Sequence, residues 1–276
     1  MRLLTFRTAG GTGAGRLDGG DVTPLDAPDV GALLAGGPDW RERAASGTGT
    51  PVPLAGLDLA PVVPRPSKII CVGLNYKLHI AETGLDTPEY PTLFGKFARA
   101  LVGATDPIVL PRAATAMDWE VELAVVIGRT VTRADRATAA AAIAGYTVAN
   151  DISARDLQRR TTQWLQGKTL DDSTPLGPVL VTGDEVGDAA DLELTCRIDD
   201  TVMQRGRTAD MLFPPDELVA YISGVTTLDP GDVILTGTPS GIGDSRRPPV
   251  RLRPGQTVTT EIEGIGALVN PTVQGP

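Results

Sequence analysis

The chain has 276 residues, of which 41% are hydrophobic and 21% are charged, and its formal net charge is −9. This length allows one large domain, or one large and one small domain, with a substantial buried core. The acidic balance and the lack of any run of Lys or Arg argue against nucleic acid or an acidic membrane as a partner.

Residues 1–65 predict a small N-terminal domain. The first 27 residues alternate short apolar runs with glycine pairs, which is typical of a meander of strands and tight turns. The glycine cluster at 10–15 lacks the Lys-Ser/Thr of a phosphate loop, so we interpret it as a hairpin turn. One short helix is predicted around Val30 to Leu34, and a proline-rich linker ends near residue 66.

The positions of the two cysteines indicate the redox state of the compartment. Cys71 lies in a predicted buried strand, Ser67 to Gly73, and Cys196 lies in a second apolar run far along the chain. This separation favours two buried free thiols over a disulfide, as expected in a reducing compartment. No signal-peptide core and no apolar run of membrane-spanning length is evident, so we expect a cytoplasmic protein with no membrane partner.

The only histidine follows the Cys71 strand on a predicted helical turn. His79 and Glu82 are three residues apart, so on a helix they share a face and can touch. A carboxylate beside an imidazole fixes its tautomer and raises its basicity, which is how a general base is built. The alternative interpretation is a surface histidine with an incidental acidic neighbour.

The segment from Asp118 to Gly128 predicts a strand with an acidic pair. Side chains alternate along a strand, so Glu120 and Glu122 project from one face, roughly 6.5–7 Å apart along the chain. Two carboxylates on an apolar strand repel each other and lose hydration unless a positive charge lies between them. A metal ion meets this need, whereas the alternative is a solvated face of an edge strand.

A second short strand, Tyr146 to Ala149, leads to Asp151 as a possible third ligand. Three carboxylates without a nearby His or Cys suit a hard cation such as Mg²⁺ or Mn²⁺ and argue against Zn²⁺. The sequence therefore predicts a site for one of these two ions.

The remaining elements are predicted from composition and periodicity. Strong helix formers run from Arg133 to Ala144, and a helical turn further on places Arg155 and Gln158 on one face. Pro214 to Val225 predicts an amphipathic helix, and Val233 to Thr236 predicts a buried strand that leads into a Gly-Thr-Pro turn.

Five motifs in order resemble the fumarylacetoacetate hydrolase family, over about residues 66 to 275. They are Gly-Leu-Asn-Tyr-x-x-His-x-x-Glu from residue 73, Asp-x-Glu-x-Glu-Leu from 118, Gly-Tyr-x-x-x-Asn-Asp-x-Ser-Ala-Arg-Asp-x-Gln from 145, Gly-Lys with Pro-Leu-Gly-Pro within 167–178, and Pro-Gly-Asp-x-Ile-x-Thr-Gly-Thr-Pro-x-Gly from 230. The resemblance, to the bacterial acylpyruvase, isomerase and decarboxylase-like members, implies an α+β fold: a β-rich, mixed sandwich-like roll over residues 66–276 after the small N-terminal domain. It also implies a homodimer.

The resemblance assigns roles to nine residues. It implies that Glu120, Glu122 and Asp151 hold one Mg²⁺ or Mn²⁺, and that His79 and Glu82 activate a water or move a proton. It further implies that Lys168 faces the substrate oxygens and that Arg155, Gln158 and Thr238 bind substrate carboxylate groups. Three ligand carboxylates exceed the charge of a divalent ion by about one, so an anionic 2-oxo acid needs added positive charge. Without the resemblance, the alternative interpretation of Lys168 is an exposed lysine in a loop, and that of Arg155 is a surface residue on a helix.

Three functions are compatible with this pattern. The first is a metal-dependent hydrolase that cleaves a carbon–carbon bond in an acylpyruvate such as fumarylpyruvate through an enolate. The second keeps the enolate and either decarboxylates an oxaloacetate-like acid or isomerises a hydroxymuconate-type dienol. The third is a protein that only binds small acids, for which His79 would have no use. Segments 96–100 and 168–175 depart from the usual family sequence near the expected substrate tail.

Overall fold

The computed structural model describes residues 1–276 and is rich in strands, as predicted. The strands are β1 (Arg2–Thr8), β2 (Gly11–Asp18), β3 (Asp21–Pro24), β4 (Val52–Pro53), β5 (Ile69–Gly73), β6 (Thr92–Lys96), β7 (Leu101–Val102), β8 (Ile108–Leu110), β9 (Met117–Asp118), β10 (Val121–Ile127), β11 (Ile143–Asn150), β12 (Ser153–Ala154), β13 (Thr174–Val181), β14 (Glu193–Ile198), β15 (Thr201–Arg207), β16 (Val233–Leu235), β17 (Thr257–Ile262) and β18 (Gly266–Gln274). The helices are α1 (Val30–Ala35), α2 (Trp40–Ala45), α3 (Lys77–Thr83), α4 (Arg136–Ala142), α5 (Arg155–Gln158), α6 (Leu165–Lys168), α7 (Gly183–Val186) and α8 (Pro215–Val225).

Two large sheets form the body of the molecule. The first has the order β4-β3-β2-β1-β13-β11-β10-β16-β5-β6, with β7 paired to β13, and the second has the order β15-β14-β17-β18-β8. A two-stranded ribbon joins β9 to β12. The second sheet packs on the middle of the first, over β10, β11 and β13. This arrangement confirms the predicted α+β, sandwich-like fold.

The strands before residue 65 continue the first sheet. Strand β1 pairs with β13 through Arg2 opposite Val181 and Leu3 opposite Leu180. Helices α1 and α2 lie on the same sheet, and Leu33 packs in one hydrophobic cluster with residues of β10 and β13. The proposed boundary at residue 65 therefore lies within a continuous sheet, and the division into two domains stays a prediction.

Strand β10 is buried on both faces. Its odd-numbered residues, such as Leu123 and Val125, pack toward the second sheet, and its even-numbered Ala124 and Val126 pack in the cluster that includes α1 and α2. Because both faces are covered, the interpretation of the acidic pair as a solvated edge is wrong. The strand instead carries Glu120 and Glu122 into the interior.

The predicted helices and strands form with shifted ends. The helix predicted from Arg133 begins at Arg136, because the Asp135 side chain accepts a hydrogen bond from the Thr138 N–H at 2.7 Å and so caps it. Helix α2 and the two-residue strands β4, β7, β9 and β12 had no sequence prediction. Both cysteines are buried and free, as predicted. The longest helix, α8, has 11 residues, and no helix has the length and hydropathy that a membrane crossing requires.

Candidate functional site

Three carboxylates meet at one end of strands β10 and β11. Glu120 directly precedes β10, Glu122 is its second residue, and Asp151 directly follows β11. The two strands are antiparallel, with Val121 opposite Asn150, and the Asp151 N–H donates to the Glu120 carbonyl at 2.8 Å. One oxygen from each carboxylate lies within 4.8 Å of the other two, and all three residues are buried. The predicted triad therefore assembles.

Two buried lysines neutralise part of this triad. The Lys168 ammonium donates to Glu120 Oε2 at 2.6 Å and to Asp151 Oδ2 at 2.8 Å, and its side chain is 3% exposed. Lys96, at the end of β6, donates to the other oxygen of Asp151 at 2.6 Å. The exposed-loop interpretation of Lys168 is therefore wrong. Burial alone would lower the pKa of Lys168, but the charges of Asp151 and Glu120 raise it above its usual value.

Arg155 joins the triad to a fourth carboxylate. Its Nε donates to Asp118 Oδ2 at 2.9 Å, its Nη1 donates to Gln158 Oε1 at 3.0 Å, and its Nη2 forms an ion pair with Glu120 Oε1 at 2.6 Å. Burial alone would raise the pKa of Glu120, but the charges of Lys168 and Arg155 lower it to about 2. Glu120 is thus held as a carboxylate, and Arg155 is a buried residue.

Glu122 is the member of the triad without a cationic partner within ion-pair distance. Its Oε2 accepts a hydrogen bond from the Gly237 N–H at 2.8 Å. Burial, and then the charges of Asp151 and Glu120, raise the pKa of Glu122 well above its usual value. A divalent cation would remove this excess of negative charge, and buried carboxylate oxygens are the ligands that hard cations prefer. The residues present therefore fit a divalent metal site.

Replacing Glu122 tests this site directly. We expect Glu122→Gln to lower the affinity for Mn²⁺ by at least about 10²-fold, because it removes an anionic ligand and even outer partners of a metal site are typically worth 10–100-fold. Stability in chelator should not fall, since the amide keeps the shape and removes repulsion. Titration calorimetry measures the affinity, with the exposed Glu89→Gln as the control. Equal Mn²⁺ affinity in the two variants would contradict the assignment.

His79 and Glu82 form the predicted pair. Helix α3 presents both side chains, and His79 Nδ1 lies 3.1 Å from Glu82 Oε2. An ionised carboxylate only accepts, so in the neutral imidazole Nδ1 carries the proton and Nε2 keeps a free lone pair. The other Glu82 oxygen accepts from the Gly241 N–H at 2.9 Å. His79 is 7% exposed, so the interpretation as a surface histidine is wrong.

Both ends of α3 are fixed. The Leu78 N–H donates to Asp210 Oδ2 at 3.0 Å, which satisfies one of the free donors of the first turn. Gly84 ends the helix with φ of 71°, a left-handed conformation that favours glycine. The helix that carries His79 is therefore anchored by a residue distant in sequence.

The Gly-Thr-Pro turn lies next to the triad. Gly237 has φ of 93°, and a Cβ there would come within 2.9 Å of the Asn75 Cβ, so glycine is required. The Thr238 hydroxyl donates to the Val121 carbonyl at 2.9 Å and accepts from Gln204 Nε2 at 2.8 Å. The backbone N–H of Thr238 is a donor of this turn that has no partner within the chain.

One cavity of about 500 Å³ brings the predicted groups together. His79, Glu82, two triad members and the four predicted substrate-binding residues line it, and Asp151 lies behind its wall. Lys96, Asp118 and Gln204 also support the site but had no prediction. Asp118 opens the acidic motif and so offered a signal, whereas nothing in the local sequence marks Gln204.

The comparisons with known proteins agree with this geometry. The family model of the fumarylacetoacetate (FAA) hydrolase C-terminal domain matches residues 68–274. The human mitochondrial oxaloacetate tautomerase is 49% identical over 217 residues, which cover 78% of this chain and 69% of that protein. The solved structure of a fumarylacetoacetate hydrolase from Exiguobacterium antarcticum has a TM-score of 0.90 and 32% identity, with full coverage of both chains. That of a 5-carboxymethyl-2-hydroxymuconate delta-isomerase from Mycobacterium smegmatis has a TM-score of 0.83 and 38% identity, again with full coverage.

Proposed function

The chain belongs to the fumarylacetoacetate hydrolase family, and we propose that it interconverts the keto and enol forms of a 2-oxo dicarboxylic acid of the oxaloacetate type, with a divalent metal. The observation that carries the proposal is that two carboxylates of the acidic triad, Glu120 and Glu122, line one cavity together with a single oriented imidazole, with Asp151 behind the cavity wall. Tautomerisation needs one group that polarises the 2-oxo oxygen and one base that moves a proton. The 49% identity to a protein named oxaloacetate tautomerase supports this choice among the family's reactions.

The metal site would supply the polarisation. When bound by Glu120, Glu122 and Asp151, Mg²⁺ or Mn²⁺ would draw electron density from the 2-oxo group and acidify the neighbouring C–H bond. Lys168 and Arg155, which already neutralise Glu120, keep the site from being too negative for an anionic acid.

His79 would move the proton. Its Nε2 takes a proton from carbon 3, the electron pair of that C–H bond moves into a carbon–carbon double bond, and the imidazolium then gives the proton to the 2-oxo oxygen, which returns His79 to its neutral form. Glu82 holds the other ring nitrogen and stabilises the imidazolium that forms. The free N–H of Thr238 would hold the 1-carboxylate, so that carbon 3 is held in place.

Carbon–carbon cleavage of an acylpyruvate is the second candidate. The same imidazole would then activate a water, and the similarity to a solved fumarylacetoacetate hydrolase favours this alternative. The two candidates differ in products, since cleavage releases pyruvate and an acid, and tautomerisation releases neither. A homodimer stays a prediction for both.

The test is to mix the metal-loaded protein with oxaloacetate or with fumarylpyruvate and to follow each reaction separately. Ultraviolet absorbance reports the enol of oxaloacetate, and chromatography reports released pyruvate. We expect enol interconversion well above the rate without protein, its loss in EDTA and its return with Mg²⁺ or Mn²⁺. Full activity in EDTA, or cleavage of fumarylpyruvate without any effect on oxaloacetate, would reject the proposal.

A further inference from the structure

The cavity mouth is bordered by an anchored segment, residues 241–250, which we call the mouth loop. The Gly243 and Asp244 N–H groups donate to the two oxygens of buried Asp118 at 2.7 and 3.0 Å. The Val250 N–H closes the loop on the Gly243 carbonyl at 2.9 Å, and a Cβ on Gly243 would come within 2.2 Å of Val250 O. The loop is therefore tied to the strand end that precedes the triad.

One arginine of this loop both lines the cavity and lacks a carboxylate partner. Arg159 and Arg251 both pair with Asp244, and Arg246 donates to the Met203 carbonyl at 2.7 Å. Arg247 lines the cavity, yet its guanidinium donates only to two carbonyl oxygens of its own loop, at 3.1 and 3.4 Å. Its charge is therefore available to a ligand.

The net charge of the side chains that line the cavity, together with a divalent ion, is suited to binding a dianion. Four carboxylates and four cationic side chains line it, and among the cationic side chains only Arg247 has no carboxylate partner. With a divalent ion at the triad, two positive charges remain in excess. A 2-oxo acid bound by its first carboxylate at the buried triad neutralises one of them, which leaves one positive charge for a second carboxylate.

We propose that Arg247 is a specificity-determining residue that binds the second carboxylate of a 2-oxo dicarboxylic acid. This inference rests on the function proposed above, because the head of the acid must lie at the triad. Arg247 is exposed, and solvent weakens the attraction between its guanidinium and a carboxylate. We therefore expect Arg247 to contribute about 10-fold to the affinity for the acid, at the lower end of the range for a hydrogen bond to a charged group.

Equilibrium binding of two acids with the same four-carbon skeleton tests the proposal. Oxaloacetate has the second carboxylate, and 2-oxobutanoate lacks it. We expect Arg247→Gln in the metal-loaded protein to weaken oxaloacetate binding about 10-fold by calorimetry and to leave 2-oxobutanoate unchanged. Arg247→Lys should restore part of the affinity. The matched control is Arg160→Gln, which removes an exposed arginine that does not line the cavity and should affect neither acid.

Two outcomes would overturn the proposal: equal weakening of both acids, or no preference for oxaloacetate in the wild-type protein. The affinity is measured at equilibrium and not from a rate, so the result is independent of the enol assay. A preference lost in Arg247→Gln, in a protein inactive on oxaloacetate, would keep the inference and reject the proposed reaction. A protein that is active on oxaloacetate but does not prefer it to 2-oxobutanoate would keep the proposed reaction and reject the inference about Arg247.

Discussion

His79→Ala should lower the rate of enol interconversion by about 10²–10⁴-fold, the usual contribution of a positioned general acid or base. His79 Nε2 is the free imidazole nitrogen in the cavity, because Nδ1 is held by Glu82. Binding of Mn²⁺ and of oxalate, which occupies only the metal end, should stay nearly unchanged, since neither uses the imidazole. Stopped-flow absorbance gives the rate, and calorimetry gives both affinities.

Glu82→Gln should lower the rate of enol interconversion by less than His79→Ala does. The amide keeps one acceptor oxygen but loses the charge that stabilises the imidazolium, so we expect a smaller loss, about 10-fold or more. The exposed Leu78→Ala on the same helix is the control for helix stability. A wild-type rate in His79→Ala would leave the proposed mechanism without its base.

Lys168→Met should have the second large effect, on both stability and turnover. Lys168 is shared by Glu120 and Asp151 in the interior, and removing one partner of a buried ion pair typically costs about 3–5 kcal/mol. We expect thermal unfolding in EDTA to move to lower temperature, and Mg²⁺ or Mn²⁺ to restore much of the loss by supplying the missing charge. Turnover should fall by about 10²-fold or more even with metal.

Lys77→Met is the matched control, because Lys77 is exposed and makes no ion pair. Its unfolding temperature should match that of the wild type in EDTA and with metal. If Lys168→Met were equally stable in EDTA, the ion pairs seen in the structure would not contribute as described. If Mg²⁺ or Mn²⁺ failed to restore the stability of Lys168→Met, the conclusion would be that the triad does not bind a divalent ion.

The acidic pair could be predicted because alternation along a strand depends on the local chain alone. Glu120 and Glu122 share a face whatever the rest of the fold does, and the short strand predicted from Tyr146 to Ala149 led to Asp151. The burial of Glu120 and Glu122 could not be predicted from the local sequence, because α1, α2 and the second sheet are what cover the two faces of β10. The same limit left open whether Lys168 was exposed or buried.

The supporting residues illustrate a second limit. Lys96 lies 55 residues from Asp151, and Gln204 lies 34 residues from Thr238, so only the tertiary fold brings each pair into contact. Thr238 was assigned to a substrate carboxylate by resemblance, but its hydroxyl is engaged by Val121 and Gln204. The partner of a side chain in a long-range contact cannot be read from spacing.

Deuterium exchange at carbon 3 of oxaloacetate in D₂O tests the central claim most directly. Enolisation by His79 breaks that C–H bond at every turnover, whereas a protein that only binds the acid leaves it intact. With metal, we predict exchange by proton NMR far above the rate without protein and without stoichiometric release of pyruvate. In EDTA, exchange should return to that background rate, and in His79→Ala with metal it should fall by about 10²–10⁴-fold. Background exchange in the metal-loaded wild-type protein would contradict the proposed function.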